Sequence, residues 1–264
     1  MFHILLKEDT LFGDITSEAI IPENMDAEAV VVAHEKGVLA GAEYVANNLR
    51  EMGIYVSYVE DGKWVDSGEE VMHLRGNARK ILITERTTLN ILGRMSGIAT
   101  LTRSITNKVR KINPNIRVAA TRKTLWGYLD KIAVKIGGGD THRLNLGDMV
   151  MIKDNHLALV PMEKAIRRAK KVSFTKKIEV EVEKEEDAIK AVETGVDIIM
   201  LDNMPVDEIC TIAKKLRKYS VIIEVSGGIT PENVESYARC DIDVISMGYL
   251  THSAKSMNFS LEIH

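Results

Sequence analysis

Between Ile116 and Met247 the chain repeats one pattern: a short apolar, β-branched run that stops at a polar or glycine cluster. The runs are Ile116–Ala120, Met149–Ile152, Ile178–Val182, Asp197–Leu201, Val221–Val225 and Asp243–Met247. Segments of helical periodicity separate them, which predicts strands of a parallel βα array. The clusters at or just past their ends are Thr121-Arg122-Lys123, Lys153-Asp154-Asn155-His156, Glu181 with Glu183, Asp202-Asn203, Ser226-Gly227-Gly228 and Gly248. In such arrays ligands bind where the strands end, because loops and helix N-termini converge there. Cations, carboxylates and glycines gathered at that edge predict an enzyme.

The first hundred residues follow a different rhythm. Ala29–Ala33 and Val38–Ala40 read as strands, Ala42–Met52 as a helix ended by Gly53, and Ile54–Val59 as a further strand. Turn signals at Asp61-Gly62 and Ser67-Gly68 bracket more short strands up to Leu74. From Ala78 to Lys111 the pattern is helical, with a break predicted at Ser96-Gly97. The expected architecture is an α/β protein with a mixed α/β sandwich domain over residues 1–112 and an open, incomplete α/β barrel over 113–250. The barrel is read as open because about six parallel strands fall short of the eight that close one. Met257–Ile263 reads as a strand within a tail, 251–264, that returns to the first domain.

Composition narrows the class of protein. A charged fraction of 28% and a hydrophobic fraction of 45% are those of a soluble globular chain. A net charge of −3 argues against general nucleic-acid or membrane-surface binding. No apolar stretch has membrane-spanning length, and Met1-Phe2-His3-Ile4 lacks the basic leader of a secretory signal. The two cysteines, Cys210 and Cys240, form no evident disulfide framework or metal-ligand spacing, so a reducing cytoplasm is expected. The average hides one bias. From Arg117 to His156 there are seven Lys/Arg against four Asp, with two histidines besides. An anionic ligand would sit there.

Individual residues sharpen that expectation. Arg122 and Lys123 are adjacent at a strand end and point in different directions, so they can address two anionic groups, although most Arg-Lys pairs are ordinary surface ion pairs. Gly137-Gly138-Gly139 marks a tight bend or a close ligand approach, with His142 and Arg143 just beyond it; a flexible loop is the bland alternative. Lys153 reads as an anion ligand rather than a Schiff-base nucleophile, because its polar neighbours would not desolvate it; simple pairing with Asp154 would also account for it. Glu179, Glu181 and Glu183 alternate along one strand and so share a face; with Asp202 they suit Mg²⁺, ribose hydroxyls or a sugar cation, or else act as counter-ions for Arg122, Arg143 and Lys153. Ser226, Gly227, Gly228 and Gly248 supply backbone N–H groups for a phosphate. The inventory fits transfer of a phosphorylated sugar to a small anionic acceptor.

The same residues, in order, resemble the quinolinate phosphoribosyltransferase family nearly end to end. The matching stretches include Lys7-Glu8-Asp9, Phe12 to Thr16, Glu85-Arg86-Thr87, Thr121 to Thr124, Gly137 to Arg143, Ile152 to His156, Glu179 to Val182, Leu201 to Asn203, Ser226 to Ile229, and Gly248 with Thr251-His252. The resemblance implies a Mg²⁺-dependent reaction of quinolinate with phosphoribosyl pyrophosphate that yields nicotinate mononucleotide, pyrophosphate and CO₂ in NAD synthesis. It implies a homodimer, able to assemble further, in which the first domain of one subunit covers the other's barrel. Arg86 would then cross to the partner's site. Arg122, His142, Arg143 and Lys153 would surround the two carboxylates, and Lys123 would lie near the pyrophosphate. Glu181 and Asp202 would meet ribose and metal through substrate or water, and Ser226, Gly227, Gly228 and Gly248 would hold the 5′-phosphate. Lys123, Lys153, Glu181 and Asp202 would be the catalytic set. The chain departs from the family's pattern at Leu125–Asp130, which lacks the usual proline and arginine and brings in Trp126 and Tyr128. A sister transferase for another aromatic carboxylate, a non-catalytic anion-binding paralogue and a Schiff-base lyase are the rival readings.

Overall fold

A computed structural model describes residues 1–264. In chain order the first elements are α1 (Phe2–Asp9), α2 (Ile15–Ile20), β1 (Asp26–Ala33), β2 (Gly37–Val38), α3 (Ala42–Glu51), β3 (Tyr55–Tyr58), β4 (Trp64–Val65), β5 (Glu70–Asn77) and α4 (Ala78–Ile112). There follow β6 (Arg117–Ala120), α5 (Tyr128–Ile136), β7 (Val150–Ile152), α6 (Asp154–Leu157), α7 (Met162–Ala169), β8 (Ile178–Val182) and α8 (Glu185–Thr194). The chain closes with β9 (Ile198–Asp202), α9 (Val206–Leu216), β10 (Ile222–Ser226), α10 (Val234–Ala238), β11 (Val244–Met247), α11 (Tyr249–His252) and β12 (Phe259–Ile263). Two compact units result: residues 1–103, 125–138 and 254–264 form one, and residues 104–124 and 139–253 form the other.

The first unit is built on an antiparallel sheet in the order β12-β1-β5-β3. The C-terminal strand is its edge, with Ala33 opposite Phe259 and Ala29 opposite Ile263. The helical stretch from Ala78 is continuous over 35 residues and shows no break at Ser96-Gly97. Glycine is tolerated there for packing. A Cβ on Gly93 would lie 2.7 Å from the Met257 carbonyl oxygen, and one on Gly97 would overlap the Lys255 carbonyl oxygen. The two glycines sit four residues apart on one helix face, where a backbone segment lies directly against them.

The second unit is a six-stranded parallel sheet in the order β6-β11-β10-β9-β8-β7, with no ladder joining β6 to β7. This is an open α/β barrel. Its strands obey a strict parity. Ile199 and Leu201, Ile223 and Val225, and Ile245 and Met247 are almost wholly buried. Helices α8 and α9 pack against β8, β9 and β10. The alternate positions, including Glu181, Met200, Asp202, Glu224, Ser226 and Ser246, line a cavity instead. One face of each strand therefore supplies the apolar core and the other carries chemistry.

Two expectations are corrected here. Cys210 on α9 and Cys240 just beyond α10 form a disulfide, their Cα atoms 4.7 Å apart, because α9 and α10 are neighbours. Cysteine usage thus gives no ground for a reducing compartment. Glu183 does not share the face of Glu179 and Glu181: β8 ends at Val182, the chain turns, and Glu183 is exposed.

Candidate active site

The inward-facing positions of the barrel surround a cavity of about 440 Å³. Thr121, Arg122 and Lys123 reach it from the end of β6, His142 and Arg143 from the loop before β7, and Lys153 from the end of β7. Glu181 comes from β8, Met200 and Asp202 from β9, Glu224 and Ser226 from β10, and Ser246 from β11. Adjacent parallel strands put Asp202 level with Ser226, and Glu181 and Glu224 level with Met200, so two successive layers of the barrel deliver these groups together.

The charges are arranged unevenly. Lys153 forms a close ion pair with Glu181, across two neighbouring strands, rather than with the adjacent Asp154. Its backbone N–H donates to His156 Nδ1 at 3.0 Å, which fixes the turn that follows β7. Lys123 is set in place through its backbone: its N–H donates to Thr121 Oγ1 at 3.3 Å, and its carbonyl accepts from Thr251 Oγ1 at 2.7 Å. Arg143 is only partly satisfied. Its Nε is buried with no hydrogen-bond partner, and one terminal nitrogen reaches the Met149 carbonyl at 3.4 Å. Burial and then the nearby charge of Arg122 pull its guanidinium below the ordinary value, while Glu179 and Asp148 oppose them. A buried orphan donor beside a second arginine is an incomplete site that an anionic acceptor would complete.

The glycine cluster after β10 has a definite geometric cause. Gly227 has φ +95°, and a Cβ there would lie 2.5 Å from the Asn203 nitrogen. That approach occurs because the Asn203 N–H donates to the Ser226 carbonyl at 3.0 Å, while Asn203 Nδ2 donates to the Asp202 carboxylate at 2.8 Å. Gly227 thus lets the end of β9 lock onto the end of β10 and fixes Asp202 at the cavity. A Cβ on Gly228 would meet nothing within 4 Å, so its backbone borders open space, as a phosphate cradle requires. Gly248 lies close to Thr121 Oγ1 and the His252 ring, with 3.0–3.1 Å left for a Cβ.

Of the anticipated residues, Arg122, Lys123, His142, Arg143, Lys153, Glu181, Asp202 and Ser226 line the barrel cavity, whereas Glu179, Glu183, Gly227, Gly228, Gly248 and Arg86 do not. Arg86 lies on α4 and lines a separate cavity of the first unit, with Asn90, Arg94, Leu125 and Trp126. The Leu125–Asp130 segment belongs to this unit too and contributes nothing to the barrel cavity. There Asp130, fully buried, takes a bidentate pair from Arg94 at 2.6 and 2.7 Å, and the Arg94 guanidinium lies 5.4 Å from the Trp126 ring. The glycine triplet is not a ligand cradle as a whole: a Cβ on Gly137 would lie 2.6 Å from the Ala99 carbonyl oxygen, so this glycine serves helix packing. Glu224 and Ser246 were missed, hidden inside apolar runs. Parity was the available signal, since each precedes an anticipated residue, Ser226 or Gly248, by two positions.

Two groups of side chains bear on metal binding. Glu181 and Asp202 stand on neighbouring strands, but the first is bound to Lys153 and the second to Asn203. Such a donor set fits a Mg²⁺ ion held mostly by substrate oxygens and water, not an all-protein cage. Deeper in the barrel, His142, Glu179 and Glu224 bring one ligand atom each within 4.8 Å of one another.

Fold and cavity together present an open α/β barrel whose strand ends gather arginine, lysine, histidine and carboxylate side chains around one cavity, an arrangement suited to binding an anion. Residues 14–96 match the N-terminal domain, and residues 98–262 the C-terminal domain, of quinolinate phosphoribosyl transferase. The chain is 48% identical to a probable nicotinate-nucleotide pyrophosphorylase (carboxylating) of Methanothermobacter thermautotrophicus, over 98% of this chain and 96% of that one. It is 37% identical to the human nicotinate-nucleotide pyrophosphorylase (carboxylating), over 98% and 89%. The crystal structure of nicotinate-nucleotide pyrophosphorylase from Ehrlichia chaffeensis superposes with a TM-score of 0.92 at 31% identity, covering 100% of this chain and 97% of that one. The chain belongs to the quinolinate phosphoribosyltransferase family and is an enzyme of the pentosyltransferase class.

Proposed function

We propose that this enzyme is a nicotinate-nucleotide pyrophosphorylase (carboxylating) of NAD synthesis: it joins quinolinate to the ribose of phosphoribosyl pyrophosphate and releases pyrophosphate and CO₂. The observation that carries the reading is the convergence of Arg122, His142, Arg143 and Lys153 on one cavity that Glu181, Asp202 and Ser226 also line. A pyridine dicarboxylate brings two negative charges, and clustered guanidinium and ammonium groups offset their desolvation. Arg143, with its buried orphan Nε, is placed to accept one of those carboxylates. Displacing pyrophosphate leaves positive charge on the sugar, which Glu181 and Asp202 stabilise from the barrel wall. Lys123 draws the departing pyrophosphate, and the backbone at Gly227, Gly228 and Gly248, with Ser226, holds the 5′-phosphate. When bound, Mg²⁺ would neutralise charge on the leaving group, with Glu181 and Asp202 meeting it through water or substrate. No covalent nucleophile is needed, so Lys153 serves as an ion-paired anchor.

We also propose a homodimer, acting in the cytoplasm, in which Arg86 serves the partner's cavity. Two observations support shared sites: Arg86 lies outside the barrel cavity, and Phe12, Ile15, Ile20 and Ile4 around α1 and α2 are largely exposed apolar side chains. Mixing Arg86→Ala with Arg122→Ala under exchange conditions is then expected to restore part of the activity that each lacks alone. Absence of any complementation would count against shared sites. The function itself is tested by steady-state turnover with phosphoribosyl pyrophosphate and a panel of pyridine carboxylates. Pyrophosphate and CO₂ released together with quinolinate support it. Turnover only with another acid points to a sister transferase, and tight binding without pyrophosphate release points to a binding protein.

A further inference from the structure

Two neighbouring strands of the barrel end in segments that must be held in register without a ladder. The last pair of β6 and β11 is Ala120 opposite Met247. Beyond it one segment continues as Thr121-Arg122-Lys123 and the other as Gly248 and α11. Neither a strand nor a helix holds residues 121–127, and the Lys123 side chain is exposed. The place of Lys123 therefore rests on individual contacts. One is local, the bond from its N–H to Thr121 Oγ1. The other comes from 128 positions along the chain, where the Thr251 hydroxyl donates to the Lys123 carbonyl at 2.7 Å.

Thr251 is 1% exposed and is joined to the Gly248 turn as well. Its N–H donates to the Gly248 carbonyl at 3.1 Å, and the His252 N–H reaches the same oxygen at 3.0 Å. The Thr251 hydroxyl stands 3.2 Å from that oxygen, farther than from the Lys123 carbonyl. A hydroxyl has a single proton to give. Two backbone donors already serve Gly248, so the proton goes to Lys123. The segments also pack directly: a Cβ on Gly248 would lie 3.1 Å from Thr121 Oγ1. One buried threonine thus fastens the lysine segment of β6 to the glycine turn of β11.

The consequence is a fixed spacing between two subsites. On the proposed function, on which this inference rests, Lys123 draws the pyrophosphate and Gly248 helps to hold the 5′-phosphate. Both groups belong to one donor molecule, at two ends of its ribose. Such a donor gains most where the subsites already match its span, and a subsite free to drift forfeits that gain. We propose that Thr251 is a positioning residue for the sugar donor: its hydroxyl holds Lys123 at a set offset from the Gly248 turn, so that the pyrophosphate end is gripped while the 5′-phosphate anchors the ribose.

Thr251→Val, which removes the hydroxyl at nearly constant shape, tests this. In calorimetry with Mg²⁺ present, pyrophosphate affinity is expected to fall about tenfold, the scale of one lost hydrogen bond, with ribose 5-phosphate and quinolinate affinities held within about twofold. Steady-state kcat/KM for phosphoribosyl pyrophosphate should fall roughly 100-fold, as for a misplaced reacting group. Thr251→Ser is expected to recover most of both losses. Equal losses for pyrophosphate, ribose 5-phosphate and quinolinate would mark a general structural role and overturn the proposal. So would unchanged pyrophosphate affinity in Thr251→Val. Should that variant fail to fold, Thr251→Ser and Thr251→Ala, which differ by the hydroxyl alone, decide by the same measurements, and equal impairment of the two overturns the idea. A protein whose variants lose pyrophosphate affinity as expected, but which never turns over quinolinate, would disprove the functional reading alone.

Discussion

The molecule contains two arginine-rich cavities, and the difference between them lies in what neutralises the arginines. In the first unit Arg94 is matched by a fully buried Asp130 in a bidentate pair and covered by Trp126. Its guanidinium is committed to that buried carboxylate, so Arg94 is structural. In the barrel Arg143 has a buried Nε with no hydrogen-bond partner, and the nearby Arg122 adds repulsion that Glu179 and Asp148 oppose. Residue type is the same in both places. Unmet hydrogen-bonding capacity, rather than positive charge, distinguishes a binding arginine from a structural one.

Substitutions can break or sharpen that contrast. The largest effect on stability is expected for Arg94→Ala, which strands the Asp130 carboxylate: about 3–5 kcal/mol lost in denaturant unfolding, as for a broken buried pair. An unchanged unfolding midpoint would place Arg94 in the functional class instead. Arg143→Ala should do the reverse, leaving the unfolding midpoint intact while lowering kcat/KM by roughly 100- to 1,000-fold, or about 3–4 kcal/mol of transition-state binding. Loss of folding without a specific kinetic defect would contradict it.

Two smaller effects test regions that neither cavity uses. Reducing the Cys210–Cys240 bond, which closes a sequence separation of 30 residues, is expected to cost about 2–4 kcal/mol by the chain-entropy estimate and to leave kcat unchanged. Equal midpoints with and without reductant would rule that out. Asp14→Ala removes the carboxylate that caps α2 by accepting from the Ser17 N–H at 3.0 Å, at a cost of about 1 kcal/mol. Hydrogen bonds from Ser17 hold the Asp14 carboxyl below its ordinary 3.8. Its contribution is thus complete above that value and fades as pH falls through the lower folded one. Acid unfolding of the variant should then show less loss over this range than the parent does.

Much of the barrel was legible in the chain. The apolar runs appear as strands, with ends moved by a residue or so, because a strand buried against helices must be apolar on alternate positions whatever surrounds it. Arg122, Lys123, Lys153, Glu181 and Asp202 were legible for a related reason: polar residues directly at strand ends have no structural use in a core. Glu224 and Ser246 were not, since two polar residues within apolar runs look like noise until neighbouring strands supply the register. The continuity of α4 was also hidden. Gly93 and Gly97 weaken an isolated helix by propensity, and only the packed segment at Lys255–Met257 shows why they are there.

Local chemistry therefore determined the strands, the strand-end cations and carboxylates and, through their order, the family. Tertiary structure decided the rest: the partner of Lys153 is Glu181 and not Asp154, Arg86 lies outside the barrel cavity, Cys210 meets Cys240, and His142 stands between two buried glutamates. The physical reason is one of range. Periodicity and strand ends follow from interactions among neighbours in the chain, whereas pairing, burial and charge state depend on groups that come together only when distant segments pack.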